Sequence, residues 1–427
     1  MTGDALAPGA GPPASGDAVA PAAVRRARQG ITVVFFVVGL QISAWFTQIP
    51  QIKSGLRLSD GALGLALLCP AAGALLTMQV SGRLARRRGS APVVRLSGAV
   101  MAATLPLIGL ARSPGALAAA LFIVGLADGL LDVSMNAHAI AVESAAGRPI
   151  LQSMHASFSL GTILGAAAGW AAIAAGASPL TFLSIVAVAS LASSLTGTAR
   201  LLPARADQAP AAESPGGGQR AKPGWSLFVV VLGLLGAGCL FAGGAAENWT
   251  AVFLRSLRHL TPATATAGYL GFTVATLAGR LAGDRLHRRL GPVTLVRAAS
   301  VVAGLGLAAA LFLPGEAVAI SGFAVYGLGL SVLVPVIYGA VGHGSAGQFG
   351  AAEVAVSVTR FTTISYTGFL AGPAVIGWLA QSLGLALALG SALLVLVATF
   401  ALAGFTRTAL PGGSGPAREG EPAHAAL

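Results

Sequence analysis

Residues 279–291 read Gly279-Arg-Leu-Ala-Gly-Asp-Arg-Leu-His-Arg-Arg-Leu-Gly291, and residues 82–89 state the same theme as Gly82-Arg-Leu-Ala-Arg-Arg-Arg-Gly89. Each is a short basic segment bounded by glycine and held between two apolar runs. The runs are 61–81 and 91–111 around the first copy, and 264–283 and 293–313 around the second. About 20 apolar residues are needed to cross the hydrocarbon of a bilayer, so each copy joins two membrane spans at one face. The recurrence of that unit predicts a chain built from two related halves.

The remaining runs complete the pattern. They fall at 31–49, 116–137, 150–174 and 179–199 in the first half and at 226–247, 317–340, 354–380 and 384–406 in the second. Residues 200–224 hold Pro203, Pro210, Pro215, Gly216 to Gly218, Arg220 and Lys222, the composition of a flexible polar linker. Residues 1–24 are mostly Ala, Pro and Gly with no apolar core segment, which reads as a tail and not as a cleaved signal peptide. The expected fold class is an all-α integral membrane protein with 12 transmembrane helices in two six-helix bundles. Its divisions are a disordered cytoplasmic tail (1–29), an N-terminal bundle (30–199), a cytoplasmic linker (200–224), a C-terminal bundle (225–407) and a second disordered tail (408–427).

Composition agrees: 55% of the 427 residues are apolar and 9% charged, against roughly 25% charged in a soluble domain. The net charge of +12 does not point to nucleic acid, because that needs a basic patch on a folded surface and here the charges sit in short loops. Basic residues mark cytoplasmic loops. With both termini on one side, 20 of the 26 Lys and Arg fall on the face of the termini and five (Lys53, Arg57, Arg112, Arg255, Arg258) on the other. Both termini are therefore expected in the cytoplasm. Cys69 and Cys239 lie inside apolar runs, so neither a disulfide nor a metal cluster is expected. The chain has no Gly-Lys-Ser/Thr phosphate loop, no His-Glu-x-x-His and no serine nucleophile elbow, which argues against ATP-driven transport, a cofactor or an enzyme.

Polar residues inside the runs are the candidates for function, since a carboxylate at bilayer depth costs at least ~2.5–3.5 kcal/mol on insertion scales. Asp128, Asp132 and Asn136 are spaced four apart and share one helical face. Two carboxylates that close in a low-dielectric site titrate as a unit, which makes Asp132, with Asp128, the candidate proton-coupling pair. Gln41, Trp45 and Gln48 run down one side of the first span at i, i+4 and i+7 and are candidates to line a substrate cavity with Asn136. His155 near the start of the fifth span, and Asn248 and Trp249 at the far end of the seventh, join that set; Glu247-Asn248-Trp249 mixes acid, amide and aromatic where a cavity gate would lie, and Trp249 serves equally as an interfacial anchor. Arg360 falls inside the eleventh run, where it either pairs with an acid, contacts an anion or snorkels to the membrane surface. Small-residue ladders at Gly161, Gly165 and Gly169 and at Gly368 and Gly372 predict close helix packing.

Six spans, a linker and six more, with a basic glycine-rich loop after the second span of each half, resemble the major facilitator superfamily over residues 30–407. The family loop has the form Gly-x-x-x-Asp-Arg-x-Gly; the second copy keeps Asp284-Arg285, while the first has Arg86 in the acid position. The resemblance implies secondary transport and a cytoplasmic gate containing Arg83, Arg280, Asp284 and Arg285. Gly125-Leu-Ala-Asp128-Gly-Leu-Leu-Asp132-Val-Ser-Met-Asn136, with Ile49-Pro50 closing the first span, is similar to the fucose-permease-like branch of bacterial facilitators. On that resemblance Asp132 takes the place of the coupling acid and Asn136 that of its Asn, whereas the branch's second acid falls at Phe46. The expected function is proton-coupled symport of a small polar organic solute across the cytoplasmic membrane. Proton-antiport efflux of a drug or metabolite is the alternative, and a non-transporting membrane sensor the remote one. The expected partners are a small-molecule substrate, protons and membrane lipid, with a monomeric working unit and no nucleic acid.

Overall fold

The computed structural model describes residues 20–147, 150–203, 226–349 and 351–407. The expected tail up to residue 19, the linker beyond residue 203 and the tail beyond 407 lie outside the described residues, as do Arg148 and the side chains of Arg86 and Gln152. The described elements are α1 (Pro21–Gly55), α2 (Asp60–Arg88), α3 (Ser90–Leu110), α4 (Pro114–Ala146), α5 (Leu151–Ala174), α6 (Pro179–Thr198), α7 (Leu227–Ser256), α8 (Pro262–Phe312), α9 (Glu316–Phe349), α10 (Ala351–Leu383) and α11 (Leu385–Ala401). Among the described residues, eleven helices are long and apolar enough to cross a membrane.

Eleven elements still make twelve spans. At 51 residues, α8 would reach ~77 Å at 1.5 Å per residue, more than twice the hydrocarbon thickness of ~30 Å. It is broken at Gly291, whose φ of 72° and ψ of 165° are not helical. Gly89, between α2 and α3, has φ 80° and ψ 156°. The last glycines of the two basic segments thus make the same turn, at a backbone setting that costs glycine nothing and other residues much.

Helix starts are written locally. Ser59, Ser113, Ser178 and Thr261 each accept the backbone N–H three residues on, at 3.1–3.2 Å, which satisfies an orphan donor of α2, α4, α6 and α8. Proline follows in the last three, where its fixed φ suits a first helical position. All four caps lie on the face opposite the chain termini. One boundary differs from expectation: α1 begins at Pro21, so residues 21–29 belong to the first helix and not to a disordered tail. The stretch after Pro21 is rich in Ala and Arg, both strong helix formers, and contains no breaker.

Within the N-terminal bundle α1 packs on α5 and α6, and α2 on α4; within the C-terminal bundle α7 packs on α10, and α8 on α9. Lipid tails give apolar helices no reason to associate, so contact depends on close backbone approach. Cβ atoms at Gly161 and Gly165 would overlap the carbonyls of Phe36 and Leu40, and one at Gly169 would overlap Thr47. On α10 the tight position is Gly368, pressed on the Ala237 carbonyl; Gly372 is looser, with its nearest neighbour, the Phe241 carbonyl, 3.3 Å from a built Cβ. Between bundles, α2 meets α10 and α5 meets α8, two pairs that exchange under the pseudo-two-fold relation of the halves. Gly61 N–H donates to Gln381 Oε1 at 3.3 Å, and a Cβ on Gly64 would stand 2.8 Å from the Cα of Gly377. Both contacts lie in the first turns of α2, at the face opposite the termini.

Replacing Gly368 with Ala is expected to lower stability by about 1–3 kcal/mol through overpacking, while Gly372→Ala costs less than about 1 kcal/mol. Thermal unfolding of the purified variants in detergent reads both; equal losses at the two positions would refute the assignment of the tight contact to Gly368.

Candidate functional site

Two adjoining cavities occupy the centre of the molecule. The main one, of about 500 Å³, lies between the bundles and is lined from α1, α5, α7, α8, α9 and α10. The side one, of about 220 Å³, is walled by α1, α2, α3, α4, α7 and α10. Ile42, Phe46, Tyr366 and Phe369 face both, so the two spaces share a wall.

The first arm of α8 lines the main cavity with a polar stripe. Tyr269, Thr273, Thr276 and Arg280 recur at i, i+4, i+7 and i+11, one face of a helix. Thr273 and Thr276 each donate their hydroxyl proton one turn back, to the Tyr269 and Phe272 carbonyls at 3.0 and 2.8 Å, leaving their oxygens as acceptors. The Tyr269 hydroxyl meets Ser43 Oγ of the other bundle at 3.1 Å, and its ring stands edge-on to Phe46 at 6.2 Å. Glu247 of α7 lines the same cavity and is attracted by Arg280, although no ion pair within 4 Å joins them.

Asp128 and Asp132 both line the side cavity, together with Gln41, Trp45 and Asn248. The two carboxylates repel one another. Asn136 Nδ2 donates to Asp132 Oδ1 at 3.1 Å and to its backbone oxygen at 2.9 Å, so the four-residue spacing places the amide against the acid. His155 is exposed, stands edge-on to Phe35 at 5.1 Å and feels both Asp132 and Arg280 electrostatically.

The structure therefore gathers Asp128, Asp132, Gln41, Trp45 and Asn248 around one cavity, with Asn136 one turn away. Other candidates are placed elsewhere. Gln48 is turned into the protein, donating to Thr47 Oγ1 at 3.0 Å, and lines neither cavity. Trp249, at 0% exposure, is packed in the apolar core, so it is neither a cavity wall nor an interfacial anchor. Arg360 is half-buried and lines neither cavity. Arg280, expected at a surface gate, faces the main cavity. Arg83, Asp284 and Arg285 are exposed, and no ion pair links them among the described residues. Tyr269 and Tyr366 are additions; the i, i+4, i+7, i+11 stripe ending at Arg280 is the sequence signal that marks α8.

Two further polar groups have structural work. Glu143 Oε2 accepts the N–H groups of Ile150 and Leu151 at 2.7 and 2.8 Å, capping the start of α5. His138 is fully buried, with Nε2 accepting the Leu202 N–H at 3.3 Å and Nδ1 2.6 Å from Ser90 Oγ. No group of three or more His, Cys, Asp or Glu suited to a metal occurs among the described residues.

Tyr269→Phe removes the hydroxyl bond that ties the bundles together beside the main cavity. Such a bond is worth about 1 kcal/mol, so the variant is expected to shift the balance away from this closed contact about fivefold. Distance distributions between spin labels on α2 and α10, at the face opposite the termini, measure it; an unchanged distribution would show that the bond does not hold the bundles.

Comparison with known proteins places this architecture. A sequence profile of the Major Facilitator Superfamily matches residues 31–352. An uncharacterized MFS-type transporter of Yersinia pestis is 35% identical over 87% of this chain and 93% of its own. The membrane protein MosC of Rhizobium meliloti is 31% identical over 85% of each. Among solved structures, the nucleoside transporter NupG superposes with a TM-score of 0.67 at 16% identity, covering 88% of this chain and 98% of its own. A bacterial homologue of the human lysosomal transporter Spinster reaches 0.69 at 15% identity, covering 90% and 98%; at such identities the likeness is one of fold. The twelve spans, the paired basic turns, the profile match and the relatives agree: the chain belongs to the major facilitator superfamily, as a multi-pass membrane transporter and not an enzyme.

Proposed function

We propose that the chain couples the movement of protons to that of a small organic solute across the cytoplasmic membrane, with symport of a polar solute as the preferred direction. The observation that carries this is the placement of Asp128 and Asp132 on the wall of a cavity adjoining the central one. Acids retained at bilayer depth need a use or a compensating partner, and a site reached from the central cavity gives them a use. The Asn136 bond to Asp132 supports the fucose-permease-like branch, in which an Asn serves the coupling acid. The hydroxyl-lined wall of α8 supports a polar solute. The apolar walls of the side cavity, among them Leu67, Leu121 and Val124, favour one alternative, proton-antiport efflux of a drug or metabolite. Family membership sets aside the non-transporting sensor.

The 20-to-5 distribution of basic residues supports cytoplasmic termini. The contacts at the opposite face would then close the periplasmic side, leaving Arg83, Asp284 and Arg285 apart on a cytoplasmic face that is not latched. A Ser214→Cys variant in a cysteine-free background should be labelled only after the membrane is permeabilised; labelling of intact cells from outside would reverse the topology.

Asp132→Asn is expected to abolish accumulation driven by a pH gradient in proteoliposomes while leaving substrate exchange within about twofold of wild type, because the amide mimics the protonated acid. Asp128→Asn is expected to have the milder effect. A flux screen over sugars, organic acids and dyes, with and without the gradient, supplies the substrate and the direction. Uphill accumulation by Asp132→Asn would defeat the coupling assignment. Loss of binding itself, or failure to reach the membrane, would make Asp132 a structural residue.

A further inference from the structure

The side cavity carries a charge problem that the coupling reading does not solve. Asp128 and Asp132 both face it, and none of the residues lining it is Lys, Arg or His. The basic groups near the centre are elsewhere: Arg280 lines the main cavity, and His155, which attracts Asp132 but not Asp128, lies on α5 outside both linings. If the pair shares one proton, one negative charge remains in a space otherwise walled by Leu67, Leu105, Leu121 and Val124, and an uncompensated charge in such surroundings is costly.

Two other features of the same wall ask for a donor. Gln41 is 1% exposed, lines the cavity, and its Oε1 has no hydrogen-bond partner; a buried acceptor left unpaired carries a penalty that a ligand donor would remove. Trp45, Phe46, Tyr366 and Phe369 also line this small space, and the faces of aromatic rings attract cations. Acid, orphan acceptor, aromatic faces and apolar walls together select a compact positive group with N–H donors. Nothing in that set selects an anion or a neutral polyol.

We propose that the side cavity is the subsite for a protonated amine borne on a small apolar or aromatic group, so that the transported solute is an organic cation. The proposal rests on the coupling reading, which leaves the acid pair with one proton and one charge. It also divides the labour of the two cavities: the side cavity takes the ammonium end and its apolar stem, and the hydroxyl wall of α8 takes the polar remainder.

The test is equilibrium binding to the purified full-length protein, with tritiated phenethylamine as the probe and unlabelled phenethylamine, 2-phenylethanol and 3-phenylpropionate as competitors of similar size. The amine is expected to compete at least about tenfold more tightly than the alcohol, and the carboxylate to compete least. Trp45→Leu and Asp128→Asn should each reduce that preference about tenfold, while Trp45→Phe, which keeps a ring, should retain most of it. Equal competition by alcohol and amine, tighter binding of the carboxylate, or no saturable binding of the amine would overturn the inference. The two readings fail separately. Uphill accumulation by Asp132→Asn removes proton coupling whatever the ligand preference, and lost amine preference in wild type removes the cation subsite even where Asp132→Asn uncouples transport.

Discussion

In a bilayer the backbone has no water to bond, so every span must be a helix that satisfies its own N–H and C=O groups. Helices solvated by lipid gain little from burying apolar side chains against each other. What joins them is the closeness their backbones can reach, and glycine sets that closeness. Gly161, Gly165 and Gly169 let α5 lie on α1, and Gly368 lets α10 lie on α7. The same device acts between the bundles, where Gly64 and Gly377 meet. The cavities are what is left where such approach is absent: the bundles meet in the first turns of α2 and again at Ser43 and Tyr269, and the main cavity lies beside that second contact.

That dependence explains why a weakly amphipathic chain still folds to one arrangement. Most spans are apolar on every side, so the pattern of side-chain hydrophobicity does not tell a span which neighbour to choose. The positions of small residues do, along with the turns. Gly89 and Gly291 impose the same reversal after the second span of each half, and hydroxyl caps at Ser59, Ser113, Ser178 and Thr261 fix the starts at the other face. The two kinds of turn occupy opposite faces, which gives each hairpin its sense.

The spans, the division into halves and the turn glycines were legible in the sequence because each depends on local composition. The acid face Asp128–Asp132–Asn136 was legible because it depends only on helical spacing. What escaped were the facts set by the rotation of a helix within its bundle. Gln41, Trp45 and Gln48 form one stripe, yet only the first two reach a cavity, since Gln48 is turned onto Thr47. Trp249 faces the core because α7 presents Glu247 to the cavity instead. Arg280 was assigned to a surface loop by its charge and its basic neighbours, whereas its register with Tyr269, Thr273 and Thr276 belongs to the cavity wall. The start of α1 lies ahead of its apolar run because Ala and Arg extend the helix by propensity where hydropathy carries no signal.

The halves share a fold but not an electrostatic plan, and the difference bears on which carboxylate carries the proton in the proposed cycle. The C-terminal wall presents Glu247 with Arg280 on the same cavity, a carboxylate and a cation that attract one another without an ion pair within 4 Å. The N-terminal side presents Asp128 and Asp132 with no cation lining their cavity. Glu247 and Arg280 belong to the same bundle, so their attraction, though not an ion pair within 4 Å, persists as the bundles move. On the N-terminal side only His155, outside the cavity lining, attracts Asp132, so the rest of the counter-charge comes from something mobile, and the mobile positive species in such a cycle are the proton and the solute.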